Sequence, residues 1–178
     1  MGNSRDLRAG ESFYIPRQPT AEPMGIEIRE ATLGDGPSLE IVRRQAIEAS
    51  FSDAYSRSEY ADIVASPDPN LHSWIESEAV LVLVAESPVT PVSFAVLDRN
   101  NGELHGIYTA PDYRRRGYAT ALLDEIESRV STEIDSISVW APKPARPFFC
   151  AVGFDGTKEQ KGEAIVRIRM TKSLAEGR

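Results

Sequence analysis

Apolar and polar positions in the first part of the chain follow the period of a strand and then that of a helix. From Ile26, the sequence IEIRE alternates as a short strand. Thr32, Asp35 and Pro37 then open a helix. Its apolar residues recur at spacings of three and four: Leu39, Val42, Ala46 and Ile47. The polar stretch 50–78 carries helical patches near 59–64 and around 71–77.

The middle of the chain predicts an antiparallel meander of three strands. VLVLVAE at 80–86 forms a buried strand, and VSFAVLD at 92–98 pairs with it after a turn. ELHGIYT at 103–109 follows the dipeptide Asn101-Gly102, which is a strong hairpin signal. Pro111 ends this third strand.

The last part of the chain predicts a helix, a strand, a short helix and a final strand. Apolar residues after Gly117 have the spacing of an amphipathic helix: Ala119, Leu122, Leu123, Ile126 and Val130. The sequence SISVW is then predicted to form a strand. Residues 145–152 form a short helix that ends at Gly153, and AIVRIRM forms the last strand. The sequence therefore predicts one α/β domain over 26–172, with a glycine- and proline-punctuated tail at 1–25 and a second tail at 173–178.

The amino-acid composition limits the kinds of molecule that the protein is expected to bind. The 178 residues are 41% hydrophobic, which is enough for one domain with a sizeable core. A net charge of −7 argues against nucleic-acid and anionic-membrane partners, because phosphate binding needs spread positive charge. The longest apolar run, 79–85, is too short to span a bilayer. The single Cys150 forms no internal disulfide, which favours the cytoplasm, and no metal site is predicted.

The connection PDYRRRGYATALL, which joins the third meander strand to the long helix, has the chemistry of an anion site. A helix that begins near Gly117 presents unpaired N–H groups and the positive end of its dipole to the turn. The run Arg114–Arg116 adds charge-assisted donors, each contributing about 1.5–3 kcal/mol when well placed. Gly117 lets the backbone approach a phosphate closely, and Ala119 keeps the first turn small.

The pattern Arg114-x-x-Gly117-x-Ala119 resembles the acyl-CoA signature of the GNAT superfamily of N-acetyltransferases. The resemblance covers about residues 26–170 and includes ARPFFCAVGF at 145–154, which is similar to a later stretch of the family. It implies a mixed, mostly antiparallel sheet flanked by helices, with splayed central strands, and acetyl-CoA as cosubstrate. In the family this loop cradles the pyrophosphate of the coenzyme. The implied contacts are Arg114, Arg115, Arg116, Gly117, Tyr118, Ala119 and Thr120.

The resemblance also assigns the rest of the cofactor site. Backbone groups of Ile107, Tyr108 and Thr109 would bind the pantetheine arm like an added strand. SISVW would splay away from that strand and leave a wedge for the thioester. Trp140 and Phe148 are walls of this wedge or core residues, and the core is the expectation for both. Pairing through the last strands is common in the family, which leaves a homodimer open.

Two other interpretations of the arginine run stay open. The arginines are a solvated helix start, or YRRRGY is a nucleic-acid patch in which Tyr113 and Tyr118 stack on bases. The acidic remainder of the chain argues against the second. A Walker lysine motif and the glycine spacing of a dinucleotide fold are both absent.

Acetyl transfer to an amine requires a neutral nucleophile and therefore a base. An amine of pKa about 10.4 needs roughly 4.6 kcal/mol to present its neutral form at pH 7. Glu103 lies eleven residues before Arg114, a spacing similar to that of the base glutamate in some family members. Its alternative is an exposed residue beside the turn. His105 shares the face of Glu103 by strand alternation and is the second candidate base.

Phe149 departs from the family pattern. Many members place a tyrosine there to protonate the leaving thiolate, although some acetyltransferases that resemble this chain also carry Phe-Phe. Because a thiol of pKa about 8.5 leaves tolerably as thiolate, activity is still expected. Tyr108, Tyr118 or water substitutes as the acid. Cys150 is expected to be a buried core residue, since no base is visibly paired with it.

The sequence thus predicts an N-acetyltransferase that moves the acetyl group of acetyl-CoA directly to a primary amine in a ternary complex. The acceptor is a small molecule or an amine of a peptide or protein. The alternative is a non-catalytic acyl-CoA-binding module of the same fold, which Phe149 motivates. Replacing Arg114 and Arg116 with alanine is expected to weaken coenzyme binding more than folding.

Overall fold

A computed structural model describes residues 25–51, 56, 58, 70–161 and 166–174. Residues 1–24 of the predicted N-terminal tail and the helical patch near 59–64 lie outside them. The strands are β1 Glu27–Glu30, β2 Val80–Glu86, β3 Pro91–Asp98, β4 Glu103–Thr109, β5 Ser136–Pro142, β6 Asp155–Lys161 and β7 Val166–Ser173. The α-helices are α1 Gly36–Phe51, α2 Leu71–Glu76, α3 Tyr118–Arg129 and α4 Arg146–Ala151.

The described strands form one mixed sheet in the order β1-β2-β3-β4-β5-β7-β6. Neighbouring strands are antiparallel except β4 and β5, which run parallel. The predicted meander and its hairpin are confirmed, and Gly102 closes the turn at a left-handed φ of 69°. The predicted α/β class with a mostly antiparallel sheet is therefore confirmed.

The sheet splays open between its two parallel strands. Their register includes two pairs, Glu103 with Ser138 and Leu104 with Val139, after which β4 and β5 part. On its other side, β4 stays paired with β3, but Leu97 opposes Leu104 whereas Val96 opposes Gly106. The extra residue, His105, is a β-bulge, which increases local bending and twist. The predicted splay is therefore confirmed, and the bulge lies where it begins.

Alternation along the strands divides the core between the two sheet faces. One face packs against α3 and α4 through buried residues such as Leu97, Leu123 and Phe149. The other packs against α1 and α2 through Leu39, Phe94 and others. All four predicted apolar positions of the first helix are buried, because one helical stripe faces the sheet.

An ion cluster fixes the start of α1 to the edge of the sheet. The Arg29 guanidinium donates to both Asp35 oxygens at 2.8 and 2.7 Å and to Glu86 Oε1 at 3.1 and 2.6 Å. Asp35 also accepts from the main-chain N–H of Thr32 at 2.7 Å. The hydrogen bonds from Arg29 hold the pKa of the Asp35 carboxyl well below its usual range, against the opposing effect of burial.

Two expectations from the sequence differ from the structure. Strand β6 was absent from the predicted elements, because DGTKEQK has no apolar alternation and lies at the sheet edge. The expectation that Cys150 is buried is wrong, since α4 turns Phe149 inward and leaves its neighbour exposed. Strand β7 runs to Ser173, and Leu174 after it is buried.

The described helices offer no candidate for a membrane span, since none combines the necessary length with sufficient apolar character.

Candidate functional site

A cavity of about 870 Å³ opens where β4 and β5 part. Its walls are β4, the far end of β5, the last turns of α1, and the corner that leads into α3. Ten of the eleven predicted cofactor residues line it: Ile107, Tyr108, Thr109, Arg114, Arg115, Gly117, Tyr118, Ala119, Thr120 and Phe148. The exception among them is Arg116. Both candidate bases, Glu103 and His105, line the same cavity.

The corner before α3 presents a run of main-chain N–H groups. In the described part of the chain, the Arg114 N–H donates to the Pro111 oxygen at 3.3 Å and the Ala121 N–H to the Gly117 oxygen at 2.9 Å. The six N–H groups between them, residues 115–120, have no main-chain acceptor among the described residues. Six consecutive donors at a helix start form an anion cradle.

Two left-handed residues shape this cradle. Gly117 caps α3 with φ 89°, and Arg115 has φ 57°. Left-handed residues among right-handed or extended neighbours turn successive N–H groups toward one side of the chain. Among the described residues, Ile26 Cδ1 at 3.9 Å would be the only atom within 4 Å of a β-carbon on Gly117, so the glycine is required by its φ rather than by crowding.

The three arginines of the corner have different surroundings. Arg114 is half-buried and donates to the last turns of α1, to the Ala46 oxygen at 2.8 Å and Ser50 Oγ at 2.5 Å. Arg115 lines the cavity. Arg116 lies over the Tyr113 ring, 5.4 Å from its centroid, and is exposed. Arg114 therefore joins the cradle to α1. Arg115 also lines the cavity, and its side chain has no hydrogen-bond or ion-pair partner among the described residues.

The β4 wall offers a strand edge to the cavity. Residues 107–109 pair with β3 on one side, and beyond Leu104 the described register with β5 has ended. Ser93 fixes this wall, because its hydroxyl donates to the Tyr108 oxygen at 2.8 Å and shares a 2.7 Å hydrogen bond with Thr109 Oγ1. This edge lies beyond the described pairing with β5 and presents main-chain groups to an extended ligand that carries amides.

Glu103 and His105 lie at the end of the cavity where the two strands rejoin. Glu103 is half-buried, and its Oε1 is 3.9 Å from an Arg169 nitrogen. Arg169 also donates to Ser138 Oγ at 2.7 Å and lies over the Trp140 ring. The exposed His105 imidazole stacks on Trp74 of α2, with centroids 4.8 Å apart and planes 5° apart. A carboxylate and an imidazole thus flank one end of the cavity.

An aromatic cluster closes the opposite wall. Phe149 is buried and makes edge contacts with Phe148 and Phe154, each with centroids 5.2 Å apart. Trp140 and Phe148 are partly buried and line the cavity, and Phe148 also packs against the core. The sequence left open whether Phe148 lines the cavity or belongs to the core, and in the structure it does both.

Sequence reasoning missed several residues of the cavity. Arg43, Ser50 and Phe51 of α1 and Arg167 of β7 line it. Arg43 directly follows the buried Val42 and is adjacent to the apolar stripe of α1, a signal that sequence periodicity does contain. Arg167 carries no such signal, because its place depends on the pairing of β7 with β5.

The cavity combines three chemical functions along its length. An anion cradle lies at one end, a free strand edge along the middle, and a carboxylate and an imidazole at the other end. Such a site fits a ligand with a phosphate group, an extended amide-bearing arm and a reactive terminus. No cluster of metal-binding side chains occurs among the described residues.

Comparisons with known proteins agree with this geometry. A family model described as the acetyltransferase (GNAT) domain matches residues 49–174. No curated protein sequence matches the chain. A GCN5-related N-acetyltransferase structure from Rhodopseudomonas palustris superposes with TM-score 0.74 at 24% identity, over 83% of this chain and 95% of that one.

Two further solved structures share the fold. PaiA N-acetyltransferase from Thermoplasma acidophilum, in complex with coenzyme A, has TM-score 0.70 and 21% identity, over 84% of this chain and 99% of its own. The ribosomal-protein-S18-alanine N-acetyltransferase from Escherichia coli has TM-score 0.62 and 16% identity, over 84% of this chain and 94% of its own. At these identities the superpositions establish the fold alone.

Proposed function

This chain belongs to the GNAT acetyltransferase family, and from that membership we propose that it transfers the acetyl group of acetyl-CoA to a primary amine. The observation that carries the proposal is the run of N–H groups from Arg115 to Thr120 at one end of the cavity. A diphosphate matches these donors in charge and in hydrogen-bonding capacity. Arg115 adds a charged donor from the same corner.

The remaining cavity suits the rest of acetyl-CoA. The pantetheine arm carries amides, which pair with a free strand edge as an added strand would, and Ile107–Thr109 offers that edge. Phe148 and Trp140 give the arm an apolar opposite wall. When bound, the cosubstrate supplies an activated acetyl group, and the residues of this chain orient it.

The proposed reaction is direct attack in a ternary complex. The lone pair of the amine nitrogen forms a bond to the acetyl carbonyl carbon, the carbon–sulfur bond breaks, and its electron pair goes to sulfur. Glu103 or His105 accepts the proton that the amine loses, because both line the end of the cavity away from the cradle. Water relays that proton where the distance exceeds a hydrogen bond.

The acceptor is an amine of a small molecule or of a peptide or protein. The relatives that share the fold include one named for a ribosomal-protein alanine, and at 16% identity that name does not transfer to this chain. We place the enzyme in the cytoplasm, because a single cysteine suits a reducing compartment, and a homodimer through the last strands agrees with the family pattern.

A second function, an acyl-CoA-binding module without transfer, is favoured by one observation, the phenylalanine at 149. Calorimetry with acetyl-CoA, followed by thiol release measured against a broad panel of amines, separates the two. We expect micromolar binding and amine-dependent release. Binding without release by any amine would support the module, and no binding would contradict both functions.

A further inference from the structure

Phe149 leaves the proposed reaction without the phenol that many family members place at this position. The ring is buried and held by edge contacts with Phe148 and Phe154, so it offers the departing sulfur no hydrogen-bond donor. The inference below rests on the proposed function. We propose that the hydroxyl of Tyr108, on the facing wall of the cavity, is the proton donor to the leaving sulfur.

The closed end of the cavity limits where the sulfur lies. An extended arm that starts at the cradle and follows β4 runs from Thr109 toward Leu104. It cannot pass Leu104, because there β4 is paired with Val139 of β5. Strand residues advance by about 3.3 Å each, so the space between the cradle and this barrier ends beside His105–Ile107. The thioester therefore belongs next to the bulge.

Among the described residues, three tyrosines line the cavity, and the structure separates them by position. Tyr113 and Tyr118 pack edge to face against each other, with centroids 5.9 Å apart, at the cradle end. The Tyr108 ring instead folds back along β4 toward the bulge. A β-carbon on Gly106 would lie 2.7 Å from Tyr108 Cε2 and 2.9 Å from its hydroxyl oxygen. Of these three tyrosines, Tyr108 is the one whose hydroxyl lies beside the proposed thioester position.

The surroundings of Tyr108 hold this orientation. Its ring stacks on Phe94 with centroids 5.0 Å apart, and its main-chain oxygen accepts from Ser93. Gly106 leaves the space that the ring occupies, since any β-carbon there would collide with it. The glycine beside the bulge therefore matters for the proposed chemistry, because it leaves room for the Tyr108 phenol at the reacting end of the cavity.

The proton balance of the step is complete within the site. As the carbon–sulfur bond breaks, its electron pair stays on sulfur, and the Tyr108 O–H proton moves to that sulfur to give the free thiol. The phenolate recovers a proton from water. Even a hydrogen bond without full transfer of the proton stabilises the thiolate.

The test measures the thiol pKa of enzyme-bound coenzyme A, which requires no acceptor amine. Thiolate absorbance is followed against pH for the wild-type protein and for Tyr108→Phe, with calorimetric affinity and thermal melting measured in parallel. Loss of a donor to the thiolate should raise the thiol pKa by about one unit or more. Tyr113→Phe removes a cavity phenol at the cradle end and should leave that pKa unchanged.

The outcomes separate this inference from the proposed function. If wild-type protein does not bind coenzyme A, the proposed function fails before any variant is compared. If Tyr108→Phe binds with wild-type affinity and the thiol pKa rises only in that variant, the donor is Tyr108. An unchanged pKa in Tyr108→Phe, or an equal rise in Tyr113→Phe, would overturn the assignment.

Discussion

The guanidinium of Arg114 donates to the main-chain oxygen of Ala46 across 2.8 Å. The same side chain donates to the Ala49 oxygen at 3.3 Å and to Ser50 Oγ at 2.5 Å, so three hydrogen bonds join it to the last turns of α1. A cation at a helix C-terminus is also favoured by the helix dipole. The first arginine of the run therefore joins the anion cradle to α1.

Arg114→Ala is expected to lower both stability and acetyl-CoA affinity. The lost hydrogen bonds join a charged donor to partly buried acceptors, so unfolding free energy should fall by about 2 kcal/mol and affinity by about tenfold. For Arg114 this replaces the expectation from the sequence that binding would weaken more than folding, because its guanidinium is bound to α1. Arg116→Ala is the matched control, since this exposed arginine contacts the Tyr113 ring. It should change stability by no more than about 0.5 kcal/mol. Equal melting of the two variants would contradict the structural role of Arg114.

Gly117→Ala is expected to damage the cradle. A residue with a β-carbon pays about 1–2 kcal/mol to hold the φ of 89°. If the backbone rotates to relieve this strain, the N–H groups of the cradle no longer point toward one common site. Coenzyme affinity should fall at least tenfold, as calorimetry would show. Gly36→Ala is the control, because its φ of −42° is right-handed and its β-carbon would meet nothing within 4 Å. Wild-type affinity in Gly117→Ala would argue against phosphate binding at this corner.

Glu103→Gln is expected to slow transfer without weakening cofactor binding. Removal of a general base lowers the rate by about 10²–10⁴-fold, whereas the cradle lies at the other end of the cavity. His105→Gln on the same wall is the paired variant. Amine-dependent thiol release should fall in one variant much more than in the other. A near-wild-type kcat in both variants would indicate that water, and neither side chain, accepts the proton from the amine.

Acid should destabilise the fold through Asp35. Its pKa is lower in the folded protein than in the unfolded chain, so its stabilisation is complete above about pH 3.9 and is lost as pH falls below that value. Asp35→Asn should cost on the order of 2 kcal/mol at pH 7, a figure reduced by the partial exposure of Arg29. Denaturant unfolding between pH 7 and 2 should show a flatter profile for this variant. The exposed Asp124→Asn should follow the wild-type curve.

Local patterns predicted most elements that position the site. The alternation at 80–109 encodes three strands, and the glycine before Tyr118 marks the start of α3, because these signals depend on neighbours in sequence. The anion corner was predictable for the same reason. One strand, one loop and one helix start are contiguous in the chain.

Other features depend on pairing between distant segments. The bulge at His105 arises from the register with Val96 and Leu97 and breaks the alternation from which a shared face for Glu103 and His105 was expected. Both residues nevertheless line one cavity. The polar strand β6 is held by β7, and the exposed Cys150 follows from the direction in which α4 docks. The hydrophobic pattern of one segment cannot predict the bulge, the pairing of β6 or the exposure of Cys150, because each depends on a second segment.

The short contact between β4 and β5 has a mechanical consequence. Two register pairs join the half-sheets, so a small rotation about that pivot leaves every antiparallel ladder intact. Gly102 lies at the pivot, and a β-carbon there would be 2.6 Å from the main-chain oxygen of Ser136. We therefore expect the mouth of the cleft to widen and narrow with little loss of hydrogen bonding between the strands. Breathing of this kind suits a protein that admits a long, flexible molecule and releases its deacylated form in each turnover.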